Sequence, residues 1–100
     1  MDITAELKNY LDKEGRLKMY PSKRKYKILA LMFLASRFEK GVRYTEKEVN
    51  EILDEVHTFN DRCMMRRELY NNRFFGRLND CSWYWLEEKQ PVLSDFNIEM

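Results

Sequence analysis

The sequence predicts a mostly helical α+β domain in which a β-hairpin follows the helices. Apolar residues recur at helical spacing in four segments that all lie before residue 72. Two short segments of alternating apolar and polar residues come after it, and a tight corner joins the last two helical segments. This order is that of a winged helix-turn-helix with an extra N-terminal helix and the C-terminal β-hairpin as its wing. The 100 residues are predicted to form one such domain, spanning 1–100.

The first helix is predicted from Ile3 to Leu11, where four apolar side chains fall on one face. The second helix is predicted to begin at Ser22, a favourable N-cap residue, and to continue to about Lys40. Its centre, Ile28 to Ala35, is apolar on every side, which is typical of a helix buried in the middle of a domain. We therefore expect the other elements to pack around this second helix.

The third helix is predicted to follow Thr45, after a short strand from Val42 to Tyr44. Thr45 and Glu48 have capping-box spacing, in which each residue satisfies a backbone N–H at the start of the helix. The apolar residues of this segment extend to Val56, where the helix is expected to end.

The corner after the third helix is predicted at residues 57–59, with Asn60 as the N-cap of a fourth helix from Asp61 to Asn71. In this fourth helix, Met65 and Leu69 share one face and are expected to point into the core. The corner and its two helices form the predicted helix-turn-helix unit.

The hairpin is predicted from two strands, Arg73 to Leu78 and Ser82 to Glu87, joined by a turn at residues 79–81. Trp83 and Trp85 alternate with apolar residues, so the second strand has two distinct faces. The tryptophans are expected to be core or interface residues. The segment after residue 91 mixes apolar and acidic residues and predicts no particular element.

The composition argues against several classes of function. The 18 basic and 17 acidic side chains leave a net charge of +1, so any attraction to nucleic acid must come from a local excess of charge. Cys63 and Cys81 stand far apart and His57 is the single histidine, so no metal site is predicted. The sequence contains no nucleophile–base triad and no glycine-rich phosphate loop, so we expect neither enzymatic activity nor a cofactor.

The distribution of apolar residues indicates where in the cell the protein is expected to be found. The N-terminal segment is acidic and lacks the apolar run of a signal peptide. The longest apolar run, Ile28 to Ala35, is too short to cross a bilayer. Cysteines that stay reduced fit a cytosolic protein. We therefore expect a cytoplasmic protein that makes no membrane contact.

Four short segments carry a resemblance to a known family: Gly15-Arg16-Leu17, Pro21-Ser22-Lys23, Tyr44 to Asn50, and Arg66-Arg67-Glu68-Leu69. Together they resemble the bacterial family catalogued as domain of unknown function 2087, over about residues 15–86. The resemblance implies a winged-helix-like domain that occurs alone or fused to a DNA-binding regulator domain, and it implies no catalytic residues. The sequence departs from the family pattern at Arg73, where a small residue, usually glycine, ends the last helix. It also departs in the corner, at residues 57–61.

Basic residues are concentrated in two zones of the sequence. Residues 15–36 contain six basic and no acidic side chains, and residues 62–78 contain five arginines and one acidic side chain. If Met65 and Leu69 point inward, the fourth helix presents arginine and asparagine side chains outward, which can read guanine and adenine edges in the major groove. We therefore predict double-stranded DNA as the partner of a transcription regulator. The candidate DNA-binding residues are Arg62, Arg66, Arg67, Tyr70, Asn71, Arg77, Lys23 and Arg24.

Other interpretations of these residues remain open. Arginines of the fourth helix can form a solvated face, and Arg66 or Arg67 can form an ion pair with the acidic third helix. The carboxylates of that helix would also repel phosphates. A second hypothesis is a protein-interaction module on a winged-helix scaffold without DNA binding, in which exposed Met64 and Tyr70 contact a protein partner. His57 is interpreted as a capping residue or a helix-dipole partner at a helix C-terminus, rather than as a catalyst. Cys63, near several arginines, is a candidate oxidant-sensitive thiol.

A homodimer is a further hypothesis. One small module buries too little DNA surface for specific recognition in a genome, so regulators of this size commonly pair. The terminal segments, Ile3 to Leu11 and Val92 to Ile98, are the natural pieces for such pairing.

Overall fold

A computed structural model describes residues 2–99 of the chain. It contains the helices α1 (Ile3–Glu6), α2 (Arg24–Ala35), α3 (Glu46–Val56) and α4 (Arg62–Asn71), followed by the strands β1 (Phe75–Arg77) and β2 (Tyr84–Leu86). Short 3-10 helices occupy Lys8–Tyr10 and Leu93–Phe96. The predicted α+β class is confirmed, and the order of elements is the winged-helix-like layout that the sequence predicts.

The centre of the molecule is α2, as its apolar composition predicts. Its fully buried side chains include Leu29, Leu31 and Leu34. The elements α1, α4 and the C-terminal 3-10 helix pack against α2, while α3 packs against α4. Burying one leucine side chain contributes about 1.5–3 kcal/mol, so this helix supplies much of the stabilisation of the fold.

The start of α3 is fixed by the predicted capping box. The backbone N–H of Glu48 donates to the Thr45 hydroxyl at 3.2 Å, and the backbone N–H of Thr45 donates to the Glu48 carboxylate at 2.8 Å. Both residues therefore satisfy groups that the first turn of a helix leaves without partners. This prediction is confirmed.

The N-cap predicted for α4 is wrong by one residue. The Asp61 carboxylate, not the Asn60 side chain, accepts a hydrogen bond from the backbone N–H of Met64, at 3.3 Å. Asn60 instead has a left-handed backbone, with φ of 53°, which turns the chain between α3 and α4. An asparagine tolerates this conformation better than most residues, so its place is in the corner itself.

The first helix is shorter than predicted. Only α1 and the following 3-10 helix form, and Leu11 makes an isolated β-bridge with Leu17 instead of continuing the helix. The chain reverses between them because the Asp12 carboxylate accepts hydrogen bonds from the backbone N–H groups of Glu14 and Arg16, both at 2.9 Å. These bonds, led by that of Arg16, lower the pKa of Asp12.

The predicted limits of α2 are also wrong. The helix begins at Arg24, and Lys23 rather than Ser22 occupies the N-cap position, where no side-chain hydrogen bond is made. It ends at Ala35 rather than near Lys40 because the chain tightens and carries the ring of Phe38 into the core. The backbone N–H of Phe38 donates to the Ala35 carbonyl at 3.1 Å in this tight turn.

The hairpin is present but shorter than predicted, with Phe75 opposite Leu86 and Gly76 opposite Trp85. The strand predicted at 42–44 is wrong except at Tyr44, which forms a single bridge with Tyr84 through two 2.8 Å hydrogen bonds. On the outer face the indole of Trp85 lies against Gly76, where a Cβ atom would stand 2.4 Å from Nε1 of the indole. Glycine is therefore required here by close approach.

Both ends of the described chain fold back onto α2. Leu7 is fully buried and Leu93 is 6% exposed, and the ring of Phe96 stacks on that of Phe74 at 6.4 Å between ring centres. The main apolar side chains of the terminal segments are thus buried in the core of their own chain. Their role in pairing two copies stays a prediction.

Candidate nucleic-acid interface

The outward face of α4 is defined by the residues that it buries. Met65 and Leu69 have no exposed surface, as predicted. Arg67, Tyr70 and Asn71, which lie on the opposite side of the helix, are exposed. The face that the sequence assigns to base reading is therefore open to solvent.

One flank of α4 is tied to α3 through two arginines. Arg62 forms a salt bridge with Asp54 at 2.7 Å. Arg66 forms a salt bridge with Glu46 at 3.3 Å and donates a hydrogen bond to the side-chain oxygen of Asn50. The pairing with α3 that the sequence left open for Arg66 or Arg67 is present at Arg66, and within residues 2–99 Arg67 forms no salt bridge. The pair at Arg62 was not predicted.

These two arginines differ in burial. The side chain of Arg66 is 16% exposed, whereas that of Arg62 is 47% exposed. Arg66 is thus largely a structural bridge between the two helices, and Arg62 remains accessible. Contact of either one with DNA stays a prediction.

The other flank of α4 carries the single acidic residue of its zone. The Tyr20 hydroxyl donates a hydrogen bond to the Glu68 carboxylate at 3.2 Å. Burial raises the pKa of Tyr20, and the negative charge of Glu68 raises it further. The carboxylate is held by this phenol, and within residues 2–99 it forms no salt bridge with Arg67.

Arg77 of the hairpin is held beside the outward face of α4. Its guanidinium carbon lies 4.0 Å from the centre of the Tyr70 ring, a close cation–π contact. Its Nη1 also donates to the Cys81 sulfur at 3.2 Å. Contact with Tyr70 is the largest of the influences that raise the pKa of Arg77.

A groove of about 340 Å³ separates α4 from the hairpin, and we call it the basic groove. Its lining residues are Glu46, Cys63, Arg66, Arg67, Tyr70, Asn71, Arg77, Cys81 and Tyr84. Three guanidinium groups therefore face one carboxylate. Burial raises the pKa of Tyr84 at the groove wall, although the charge of Arg66 acts in the opposite direction.

Five of the eight candidate residues, Arg66, Arg67, Tyr70, Asn71 and Arg77, line this groove. Arg62 lies on α4 but outside the groove, paired with α3. Lys23 and Arg24 are exposed at the start of α2, and they do not line the groove. The structure therefore places residues of α4 and of the hairpin in one groove, whereas Lys23 and Arg24 of the α2 N-terminus lie outside it.

Sequence reasoning missed the contact between Arg77 and Cys81. It favoured Cys63 as the thiol near positive charge, yet Arg77 bonds to the sulfur of Cys81. The two residues lie four apart across the hairpin turn, and Cys81 takes a left-handed backbone with φ of 63°. Their spacing across a predicted turn was the available signal. Tyr84 and Glu46 come from distant segments, and only the fold brings them to the groove.

Two further features bear on function. Among residues 2–99, no group of three or more histidine, cysteine or carboxylate side chains is placed to hold a metal ion. Over the same part of the chain, no helix combines the length and apolar character needed to cross a bilayer.

Comparison with known proteins gives one match. A family model described as "Uncharacterized protein conserved in bacteria (DUF2087)" matches residues 16–86. No curated protein and no solved structure matches the chain significantly.

Proposed function

Because the chain belongs to the bacterial DUF2087 family, whose description states no activity, we propose a function from its site: binding of double-stranded DNA as a transcription regulator. In this proposal the outward face of α4 enters the major groove and the hairpin contacts the neighbouring backbone as a wing. The protein acts in the cytoplasm and has no catalytic role. A fold of this kind serves many functions, so the proposal depends on the residues of the site.

One observation carries the proposal. The arginines of α4 that face α3 are neutralised by carboxylates, whereas Arg67 on the outward face has no salt bridge within residues 2–99. Arg67 stands with exposed Asn71, one helical turn away, and with Tyr70. A guanidinium can donate to both acceptors of guanine, and a carboxamide can pair with adenine, so this face has the chemistry of direct readout.

The acidic residues of α3 are a weaker obstacle than the sequence suggests. The carboxylates of Glu46 and Asp54 are paired with arginines of α4. That of Glu48 is used by the capping box at Thr45. Three of the five acidic side chains in residues 46–55 are thus engaged within the fold, which reduces their repulsion of phosphate.

The proposal is tested by fluorescence anisotropy with a labelled duplex of mixed sequence. Nonspecific binding should appear at low salt and weaken steeply between about 50 mM and about 200 mM salt, because counterions are released from DNA. Arg67→Ala should weaken binding and reduce the slope of log K against log salt by about 1. Arg37→Ala is the matched control, since Arg37 is exposed beyond the end of α2. Absence of duplex binding at low salt would end the proposal.

A second candidate function is a protein-interaction module, which exposed apolar side chains favour. Tyr70 is 36% exposed, and Leu78 and Trp83, next to the hairpin turn, are each 37% exposed. Met64 contributes less than expected, because it is partly buried against the core. Exposed apolar surface of this kind is common at interfaces between proteins.

The two candidates are separated by one pair of variants. DNA binding predicts that Arg67→Ala lowers duplex affinity while Trp83→Ala changes it little, since Trp83 carries no charge. A protein-interaction module predicts no duplex binding, and retention of one stoichiometric protein partner that is lost in Trp83→Ala. A homodimer, proposed for specificity on DNA, is tested by sedimentation with and without duplex.

A further inference from the structure

We propose that the basic groove is a binding site for a phosphate group, held between the arginines of α4 and Arg77 of the hairpin. The phosphate can belong to a DNA backbone or to a free phosphorylated ligand, because both present the same tetrahedral oxygens. The inference deepens the proposed function, and only the DNA-backbone source rests on that function.

The first argument is the balance of charge in the groove. Arg66, Arg67 and Arg77 supply three positive charges, and Glu46 supplies the single negative charge among the lining residues. Glu46 is already paired with Arg66 at 3.3 Å. Two guanidinium groups, those of Arg67 and Arg77, therefore face the groove without a carboxylate partner within residues 2–99. A concave surface with uncompensated positive charge concentrates anions.

The second argument is that two of these arginine side chains are held in place by contacts within the protein before a ligand binds. Arg66 is fixed by its bonds to Asn50 and Glu46. Arg77 is held by its contact with the Tyr70 ring and by its hydrogen bond to the Cys81 sulfur. A long side chain that is already held in place loses less conformational entropy when it binds a ligand. Arg67 is exposed and can close over the ligand from the rim.

The third argument is the match between the donors and a phosphate group. A guanidinium presents a planar fork of parallel N–H donors that matches two phosphate oxygens, whereas an ammonium group acts as a point charge. The hydroxyl of Tyr70 adds a further donor at the groove wall, whereas that of Tyr84 donates to Glu46 at 3.5 Å. The groove, at about 340 Å³, is larger than a phosphate ion alone. It therefore leaves room for the sugar or other group that an ester carries.

The test uses the full chain and inorganic phosphate, added at constant ionic strength and followed through the Nε–Hε NMR signals of the arginine side chains. Saturable shifts are expected for Arg67 and Arg77, and acetate at the same ionic strength should bind at least about tenfold more weakly, since it offers fewer oxygens. Arg77→Gln should weaken phosphate binding by about tenfold, and Arg77→Lys should weaken it less. Arg37→Gln, outside the groove, should leave it unchanged.

Three results would overturn the site: shifts that do not saturate, acetate binding as tightly as phosphate, or full affinity in Arg77→Gln with a native circular-dichroism spectrum. If phosphate binds, a short duplex identifies its source. Competition between duplex and phosphate assigns the groove to a DNA phosphate, and independent binding of the two assigns it to a free phosphorylated ligand. If the protein binds phosphate but no duplex, the phosphate site stands and the proposed DNA-binding function is contradicted. If it binds duplex but no phosphate, only the phosphate site is contradicted.

Discussion

The imidazole of His57 accepts a hydrogen bond from the backbone N–H of Asp61 through Nε2, at 2.9 Å. Its Nδ1 lies 2.6 Å from the carbonyl oxygen of Leu53. Because a carbonyl can only accept, Nδ1 carries the hydrogen of the ring. His57, only 4% exposed, thus ties the last turn of α3 to the N-cap of α4. Of the two roles that the sequence left open for His57, capping of the helix C-terminus is the one that these hydrogen bonds show.

Replacing this ring should destabilise the corner between the two helices. In His57→Leu the Leu53 carbonyl and the Asp61 N–H lose their partners at a largely buried position, so we expect the free energy of unfolding to fall by about 2 kcal/mol. Urea unfolding followed by circular dichroism measures the change. The neighbouring Thr58 is exposed, and Thr58→Ala should change the free energy by less than about 0.5 kcal/mol. Equal losses in both variants would contradict the role of the ring.

The two arginines that join α4 to α3 should differ in their contribution to stability. Arg66→Gln removes a salt bridge whose arginine is largely buried, together with a hydrogen bond to Asn50, and should cost about 1.5 kcal/mol. Arg62→Gln removes an exposed pair with Asp54 and should cost about 0.5 kcal/mol or less. Urea unfolding at low and high salt checks both values. A double-mutant cycle of Asn50→Ala with Arg66→Gln measures the coupling free energy between these two side chains. The same cycle with Arg62→Gln should give no coupling.

The features that the sequence predicted correctly are those set by neighbouring residues. The capping box at Thr45 and the inward side of α4 follow from spacings of three and four residues, so they could be read directly. The end of α2 could not, because it depends on Phe38 reaching a core that other segments build. For Arg66 the charge pattern indicated the third helix as a possible partner. It did not identify Glu46 and Asn50, which lie at least 16 residues away on that helix. Part of the groove thus follows from tertiary packing rather than from local pattern.

Stability should fall at alkaline pH because of Tyr20. Burial, together with the charge of Glu68, raises the pKa of this phenol above its ordinary value of 10.0. The unfolded chain therefore loses the Tyr20 proton above about pH 10, while the folded chain keeps it. Since the unfolded state then binds fewer protons, the free energy of unfolding decreases as pH rises beyond that value. Urea midpoints measured from about pH 8 to about pH 11 should fall less steeply in Tyr20→Phe. An unchanged slope would show that Tyr20 is not the group responsible.

The close approach of Trp85 to Gly76 predicts a steric penalty in the hairpin. A methyl group at residue 76 would stand 2.4 Å from Nε1 of the indole, so the ring must move and its 2.8 Å hydrogen bond to Glu87 is lost. Gly76→Ala should therefore cost about 2 kcal/mol, as overpacking does elsewhere. Tryptophan fluorescence and urea unfolding report the change. In a Trp85→Ala background the same substitution should cost less, because the indole is gone and the remaining close atom, Oε1 of Glu87, ends a flexible side chain.

Arg73 should be replaceable by glycine with a gain in stability. It follows the C-cap Asn72 of α4 and has a φ of 68°, in the left-handed region that favours glycine. The resemblance to the family implies a small residue here, and a side chain in this conformation costs about 1 kcal/mol. Glycine also loses more conformational entropy on folding, which offsets part of that cost. We therefore expect Arg73→Gly to raise the free energy of unfolding by about 0.5 kcal/mol, measured by urea unfolding. Arg73→Ala is the control, because it removes the guanidinium but keeps a side chain in the left-handed conformation. If Arg73→Ala stabilises the protein as much as Arg73→Gly, the gain comes from loss of the guanidinium and not from relief of backbone strain.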